Sequence, residues 1–188
     1  MAEDLKLFAV LVGGEHPKAR LELHDMVFVI ASSIEETVPA LRNAWWGTPS
    51  SLHIDAWAII NRVDGFAVCA APGGDLQNGD PQNGDCSDAR PSLFFVNTGG
   101  YTPGALNEDH AYSFHVGEDK AAVWKAARAR AAFTSKHKDN FEIVDHVLSV
   151  REALDGQAHS IALKPDSGPD DIQIVAKYIN LKKWESGG

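Results

Sequence analysis

Four short polar motifs carry the side chains that could do chemistry: Glu22-x-His24, His53-x-Asp55, Glu108-x-His110 and His137-x-Asp139. In an extended segment, side chains two residues apart leave the same face, so the carboxylate and imidazole of each motif are neighbours. A carboxylate beside an imidazole fixes its tautomer, which suits a general base and a metal-binding histidine equally. If the pairs converge, two histidines and two carboxylates form a ligand set for zinc, manganese or iron. The metal candidates are therefore Glu22, His24, His53 and Asp55 in the first half, and Glu108, His110, His137 and Asp139 in the second. The acid–base candidates are His24, His53, Asp55, His110, His137 and Asp139. A structural role also fits, in which a buried, satisfied hydrogen bond ties a strand end to a loop.

The motifs recur because the chain states one segment twice. Reading from Leu7 and from Leu93 keeps one ungapped register as far as Arg42 and Arg128. Twelve of these 36 positions are identical, among them Leu7/Leu93, Val10/Val96, Gly13/Gly99, Gly14/Gly100, Glu22/Glu108, His24/His110 and Phe28/Phe114. Average composition would give about two. After a two-residue slip, His53-Ile54-Asp55 falls on His137-Lys138-Asp139. An internal duplication therefore governs the architecture. Each copy, at about 70 to 90 residues, is small enough that an independent core is marginal, so the two are expected to share one.

The elements that position the motifs follow from periodicity. Leu5 to Val12 is a continuous apolar run ended by Gly13-Gly14, the pattern of a strand buried on both faces, and Met26 to Ala31 reads as a second. Ser33-Ile34-Glu35-Glu36 has the form of a capping box, and Ile34, Val38, Leu41 and Trp45 recur at helical spacing. Pro39 belongs to a first turn or bends the helix, and Gly47 with Pro49 stops it. Leu52 to Ile60 alternates with period two, Asp64-Gly65 marks a tight turn, and Phe66 to Ala71 returns as its hairpin partner. The second copy repeats the order: strands at Ser92 to Val96 and Ala111 to Val116, then a helix capped by Asp119 and running to about Phe133. An alternating segment through His137 and Ile143 follows, with about seven residues inserted before Asp155-Gly156, and His159 to Leu163 closes the unit. Asp171 to Leu181 adds a strand without counterpart. The glycine doublets read most simply as turns needing positive φ, because neither a P-loop lysine nor a G-x-G-x-x-G spacing follows.

The expected fold is α+β: two tandem strand-strand-helix-strand-strand repeats related by a pseudo-twofold axis, with mainly antiparallel sheets. The first repeat spans 5–71, a flexible linker rich in turn residues 72–90, the second repeat 91–164, and a C-terminal strand and tail 165–188. The helix-joined second and third strands could alternatively form a parallel crossover.

Composition narrows the partners. With 44% hydrophobic and 23% charged residues the chain is globular, and its formal charge of −9 argues against a surface that tracks phosphates. Lys120 to Lys138 forms a local basic run that reads as a solvated helix face. No apolar run spans a bilayer and the N-terminus is acidic, so the expected location is the cytoplasm. Two cysteines, Cys69 and Cys86, make neither a disulfide framework nor a metal knuckle.

The run LFAVLVGG, the ELHD and VFVIA segments, Ala-Trp-Trp-Gly, His-x-Asp and Val-Asp-Gly together resemble the bacterial family called domain of unknown function 1543, whose members carry the domain once or twice. The resemblance implies a two-copy member and supplies no activity, cofactor or catalytic residue. The second copy departs by carrying Ala132-Phe133-Thr134 in place of Trp-Trp-Gly. The expected function is a small binding module with its site for a small molecule or protein at the repeat junction, as a monomer of pseudo-dimeric repeats or a homodimer. The alternative is a metal-dependent or acid–base enzyme. That reading requires at least three of Glu22, His24, His53 and Asp55, or of their counterparts, to meet in one accessible pocket.

Overall fold

A computed structural model describes residues 4–72, 91–101, 104–130 and 144–182. The chain divides into two compact units, Met1–Gly79 with Gly156–Gly188, and Asp80–Asp155. The architecture is α+β, and every strand pairing among the described residues is antiparallel.

In the first unit the apolar run becomes β1 (Lys6–Gly14), flanked by β2 (Leu23–Ala31) and β3 (His53–Val63). Both neighbours are antiparallel to β1, so they run parallel to each other with β1 between them. The segment joining them crosses one face of the sheet as a 3₁₀ turn, Glu35–Thr37, and helix α1 (Val38–Ala44). Pro39 falls in the first turn of α1, where its missing N–H costs no intrahelical bond. Leu41 and Trp45 pack on Phe8, Val10, Val12, Val29, Ala31, Leu52 and Ile54 to form the core of this face. Leu7 and Ala9 on the opposite face of β1 are buried as well, which accounts for the unbroken apolar run.

The helix entry differs from the expected Ser33 box. Glu36 reaches back to Ser32, accepting from its hydroxyl at 2.7 Å and its amide at 3.0 Å. These bonds, the hydroxyl's foremost, hold the Glu36 carboxyl below its ordinary value of 4.5. A depressed folded-state value stabilises above the unfolded value, and the contribution disappears as pH falls through the folded one. Glu36→Gln is therefore expected to lower the urea midpoint slightly at pH 7, and the difference from wild type is expected to shrink as pH falls below the ordinary carboxylate value.

Asp64 and Gly65 both take positive φ, as a two-residue hairpin turn requires. Strand β4 (Phe66–Pro72) pairs with β3 only next to this turn, and then along its whole length with β8 (His159–Pro165). His159 to Leu163, expected to close the second repeat, thus joins the sheet of the first unit. The far side of β3 is taken by β9 (Asp171–Asn180), the C-terminal strand expected from Asp171 to Leu181. Arg42 donates to the carbonyl of Leu181 at 3.0 Å, and the Leu181 side chain is buried against α1, which anchors the end of β9.

The second unit holds β5 (Ser92–Gly100), β6 (Asp109–Gly117) and β7 (Val144–Ser149) in the order β6-β5-β7. Helix α2 (Lys120–Arg130) lies on one face, with Val123 and Ala127 packed against Phe94, Val96 and Val144. Asp119 caps α2 by accepting from the Ala122 amide at 2.7 Å. Part of the basic run is engaged: Lys120 pairs with Glu152 at 2.8 Å, and the Arg128 guanidinium lies over the Trp124 ring at 5.1 Å. A short helix, α3 (Val150–Ala153), follows β7 directly. Residues 73–90 of the expected linker lie outside the described residues.

Candidate functional site

Gly13 is the centre of the site. It is paired with His24 of β2 on one side and with His53 of β3 on the other, so a row of three residues crosses the sheet with glycine in the middle. Residues two apart share a face, so Glu22 joins His24, and Asp55 joins His53, on the side of the sheet away from α1. Asp55 is the extra residue of a β-bulge, since Leu11 pairs with Ala56 while Val12 pairs with Ile54. Such a bulge re-aims side chains, here toward the strand end that carries the histidines.

The four side chains meet. His53 Nε2 lies 3.1 Å from Glu22 Oε1 and 3.4 Å from Asp55 Oδ1, and His24 Nε2 lies 3.3 Å from Asp55 Oδ2 and 3.9 Å from Glu22 Oε2. The His53 side chain is only 6% exposed, whereas Glu22 and His24 are about half exposed and open the cluster to solvent.

The glycine doublet leaves room for this rather than making a turn. A Cβ on Gly13 would stand 2.6 Å from His53 Nε2 and 2.8 Å from Asp55 Oδ2. On Gly14 it would stand 2.8 Å from the Trp45 ring and 2.9 Å from Ser51 Oγ. Positive φ belongs instead to Gly65, Gly104 and Gly156.

The protonation pattern of His53 follows from its other nitrogen. Nδ1 lies 2.9 Å from the carbonyl oxygen of Ser51, which only accepts, so Nδ1 carries a proton and donates it. In the neutral ring Nε2 is then a lone pair, yet it faces two carboxylate oxygens that are acceptors too. Asp55 Oδ2 is likewise buried and receives no hydrogen bond among the described residues. Acceptors turned on one another need a positive charge between them, supplied either by a second proton on the ring or by a cation.

Two imidazoles and two carboxylates are the donor types of a divalent-metal site, while the four separations above run to both oxygens of each carboxylate and so do not trace four ligand atoms around one point. Among the described residues no group of three or more His, Cys, Asp or Glu side chains is arranged to hold a metal ion, so binding one requires side-chain movement. Coordination would draw in the solvent-exposed Glu22 and His24 while His53 stays fixed.

The second unit carries a related but different arrangement. Gly99 pairs with His110, and a Cβ there would crowd Glu108 and stand 2.5 Å from Asp145 Oδ2. His110 Nδ1 lies 3.3 Å from Asp145 Oδ2 and 3.2 Å from Asn97 Oδ1, with Glu108 Oε2 3.9 Å from Nε2. His137 and Asp139 lie outside the described residues. Asp145 is skipped in its ladder as Asp55 is in the first unit: Asn97 pairs with His146 and Thr98 with Val144. Asp145 lies six residues beyond Asp139, and in sequence Ile143 stands two before Asp145, whereas His53 stands two before Asp55. The extra residues fall before this strand rather than after it. The Asp-Gly turns were the usable signal, because Asp64 follows Asp55 by nine residues and Asp155 follows Asp145 by ten.

Fold and site together define a small α+β module of antiparallel sheets with a histidine–carboxylate cluster at one strand end. Residues 19–70, which contain all four clustered side chains of the first unit, match the family model Domain of Unknown Function (DUF1543), and this stretch resembles that family. The crystal structure of a protein Il1583 from Idiomarina loihiensis is similar at a TM-score of 0.63 and 28% identity, covering 93% of this chain and 97% of that one. No curated protein matches the chain. Among the described residues no helix is long and apolar enough to cross a membrane.

Proposed function

We propose that this chain is a cation-binding module whose site lies within the first unit and takes a divalent first-row metal such as zinc or manganese on Glu22, His24, His53 and Asp55. The observation that carries the proposal is the His53 ring: its donor nitrogen is used by Ser51, so its lone pair points at two carboxylates. A mixed set of imidazoles and carboxylates suits these metals, and two carboxylates balance a divalent charge. We also read the chain as a tandem duplication. Support comes from the identical pairing register of β1 with β2 and β5 with β6, and from the same bulge before Asp55 and Asp145. On this reading the second unit has lost the histidine that anchors the first site.

The test is metal content and affinity. Protein without a histidine tag, stripped with chelator and dialysed against zinc or cobalt, is expected to retain one ion per chain. His24→Ala is expected to lose that ion and His110→Ala to keep it. Folded protein that takes up no zinc, cobalt or manganese at micromolar concentration would overturn the proposal and leave His53 as a structural residue.

A further inference from the structure

The four proposed ligands all come from the segment that matches the family model, but the buried ring among them is covered by a residue outside it. Tyr178, on the C-terminal strand β9, places its ring centroid 4.7 Å from that of His53 at an interplanar angle of 37°. His53 is 5% exposed and Tyr178 61%, so the tyrosine stands between the imidazole and solvent. It is set there by the backbone. Ile179 pairs with Ile54 and Asn180 with His53, while Ala176 pairs with Ala56, so the register slips across Lys177 and Tyr178 beside the Asp55 bulge. The strand end is held in place just after the tyrosine, because Ile179 and Leu181 pack into the core beneath α1.

We infer that Tyr178 is a positioning residue of the cation site: its ring clamps the His53 imidazole in the ligating orientation and closes the site on the β9 side. The inference rests on the function proposed above. The imidazole has two ways to leave that orientation. Rotation is opposed by the Ser51 carbonyl at Nδ1, and tilting out of plane is opposed by the tyrosine ring face. What remains open is the edge flanked by Glu22 and His24, through which a hydrated ion can enter. Nothing equivalent exists in the second unit, where among the described residues β7 pairs with β5 alone. The strand that the duplication does not account for is thus the strand that completes the first site.

Cobalt serves as the probe, since its visible absorption reports ligand geometry as well as occupancy. Stripped full-length protein would be titrated with Co²⁺ as wild type, Tyr178→Phe, Tyr178→Leu and Tyr178→Ala, with the melting temperature of each metal-free protein as control. Tyr178→Phe is expected to keep both affinity and spectrum. Tyr178→Ala is expected to bind about tenfold more weakly, at the lower end of what outer-shell losses cost a metal site, and with an altered visible band. Tyr178→Leu, which keeps apolar bulk on the strand, is expected to show the altered band while folding normally. Leucine and alanine variants with wild-type affinity and spectrum would overturn the inference while leaving the cation site standing. A wild-type protein that binds no Co²⁺ overturns the site itself and the inference with it.

Discussion

Gly13→Val is expected to destabilise the first unit and to abolish cation binding together. Gly13 sits on a central strand with histidines on both neighbours, and even a Cβ would stand 2.6 Å from His53 Nε2. His53 cannot yield easily, because its ring is held by the Ser51 carbonyl and covered by Tyr178. Two effects oppose each other. Valine is the better strand former, by at most about 1 kcal/mol across the whole scale, whereas forcing atoms into a packed site costs about 1–3 kcal/mol. Sterics win, and the urea midpoint should fall. Gly99→Val is the paired control. It would crowd Glu108 and Asp145 in the second unit and should also destabilise, while cobalt binding by the first unit persists. Wild-type stability and affinity in Gly13→Val would contradict the close approach of His53, Asp55 and His24 to that glycine.

The second large effect is expected from His53→Ala. The ring is buried and its Nδ1 satisfies a backbone carbonyl, so its removal leaves a void and an unmet acceptor, at about 1–3 kcal/mol for the latter. A lowered melting temperature alone therefore does not separate a scaffold histidine from a ligand; both readings predict it. The difference lies in linkage. At a cation concentration 100 times the dissociation constant, a native-state site gains about 2.7 kcal/mol of stability. Wild type should show that gain with zinc or cobalt and His53→Ala should not. The affinity lost should exceed the roughly 10–100-fold that removal of an outer-shell partner costs. Equal stability of wild type with and without metal would make the histidine a structural residue.

Much of the fold was legible before any coordinates. The apolar run ending in Gly13-Gly14 gave β1, the alternation from Leu52 gave β3, and Asp64-Gly65 gave the hairpin turn. Asp119 gave the start of α2, and Asp171 to Leu181 gave the extra strand. These signals are local, since burial on one or both faces and the φ preferences of turn residues are written in adjacent positions. A His-x-Asp motif fixes a face but not a partner, and only the pairing of β7 with β5 shows that Asp145 is skipped in its ladder as Asp55 is in that of β3 with β1. For the same reason the alternation of His159 to Leu163, expected to close the second repeat, says that it pairs but not with which edge; in the structure that edge is β4.

The sequence by itself determined the inventory of the side-chain cluster. It named Glu22, His24, His53 and Asp55, paired them two by two through the period of a strand, and set a glycine doublet nearby. Only the tertiary structure decided that the pairs meet, because β2 and β3 are joined by a helix that carries the chain across the sheet and sets them on opposite sides of β1. Only it gave the doublet its reason, which is clearance for the histidines rather than a turn. Only it brought Tyr178, 125 residues along the chain from His53, to the face of that ring. Convergence across strands depends on register and connection, and these are set by the burial of whole faces, which no four-residue motif contains.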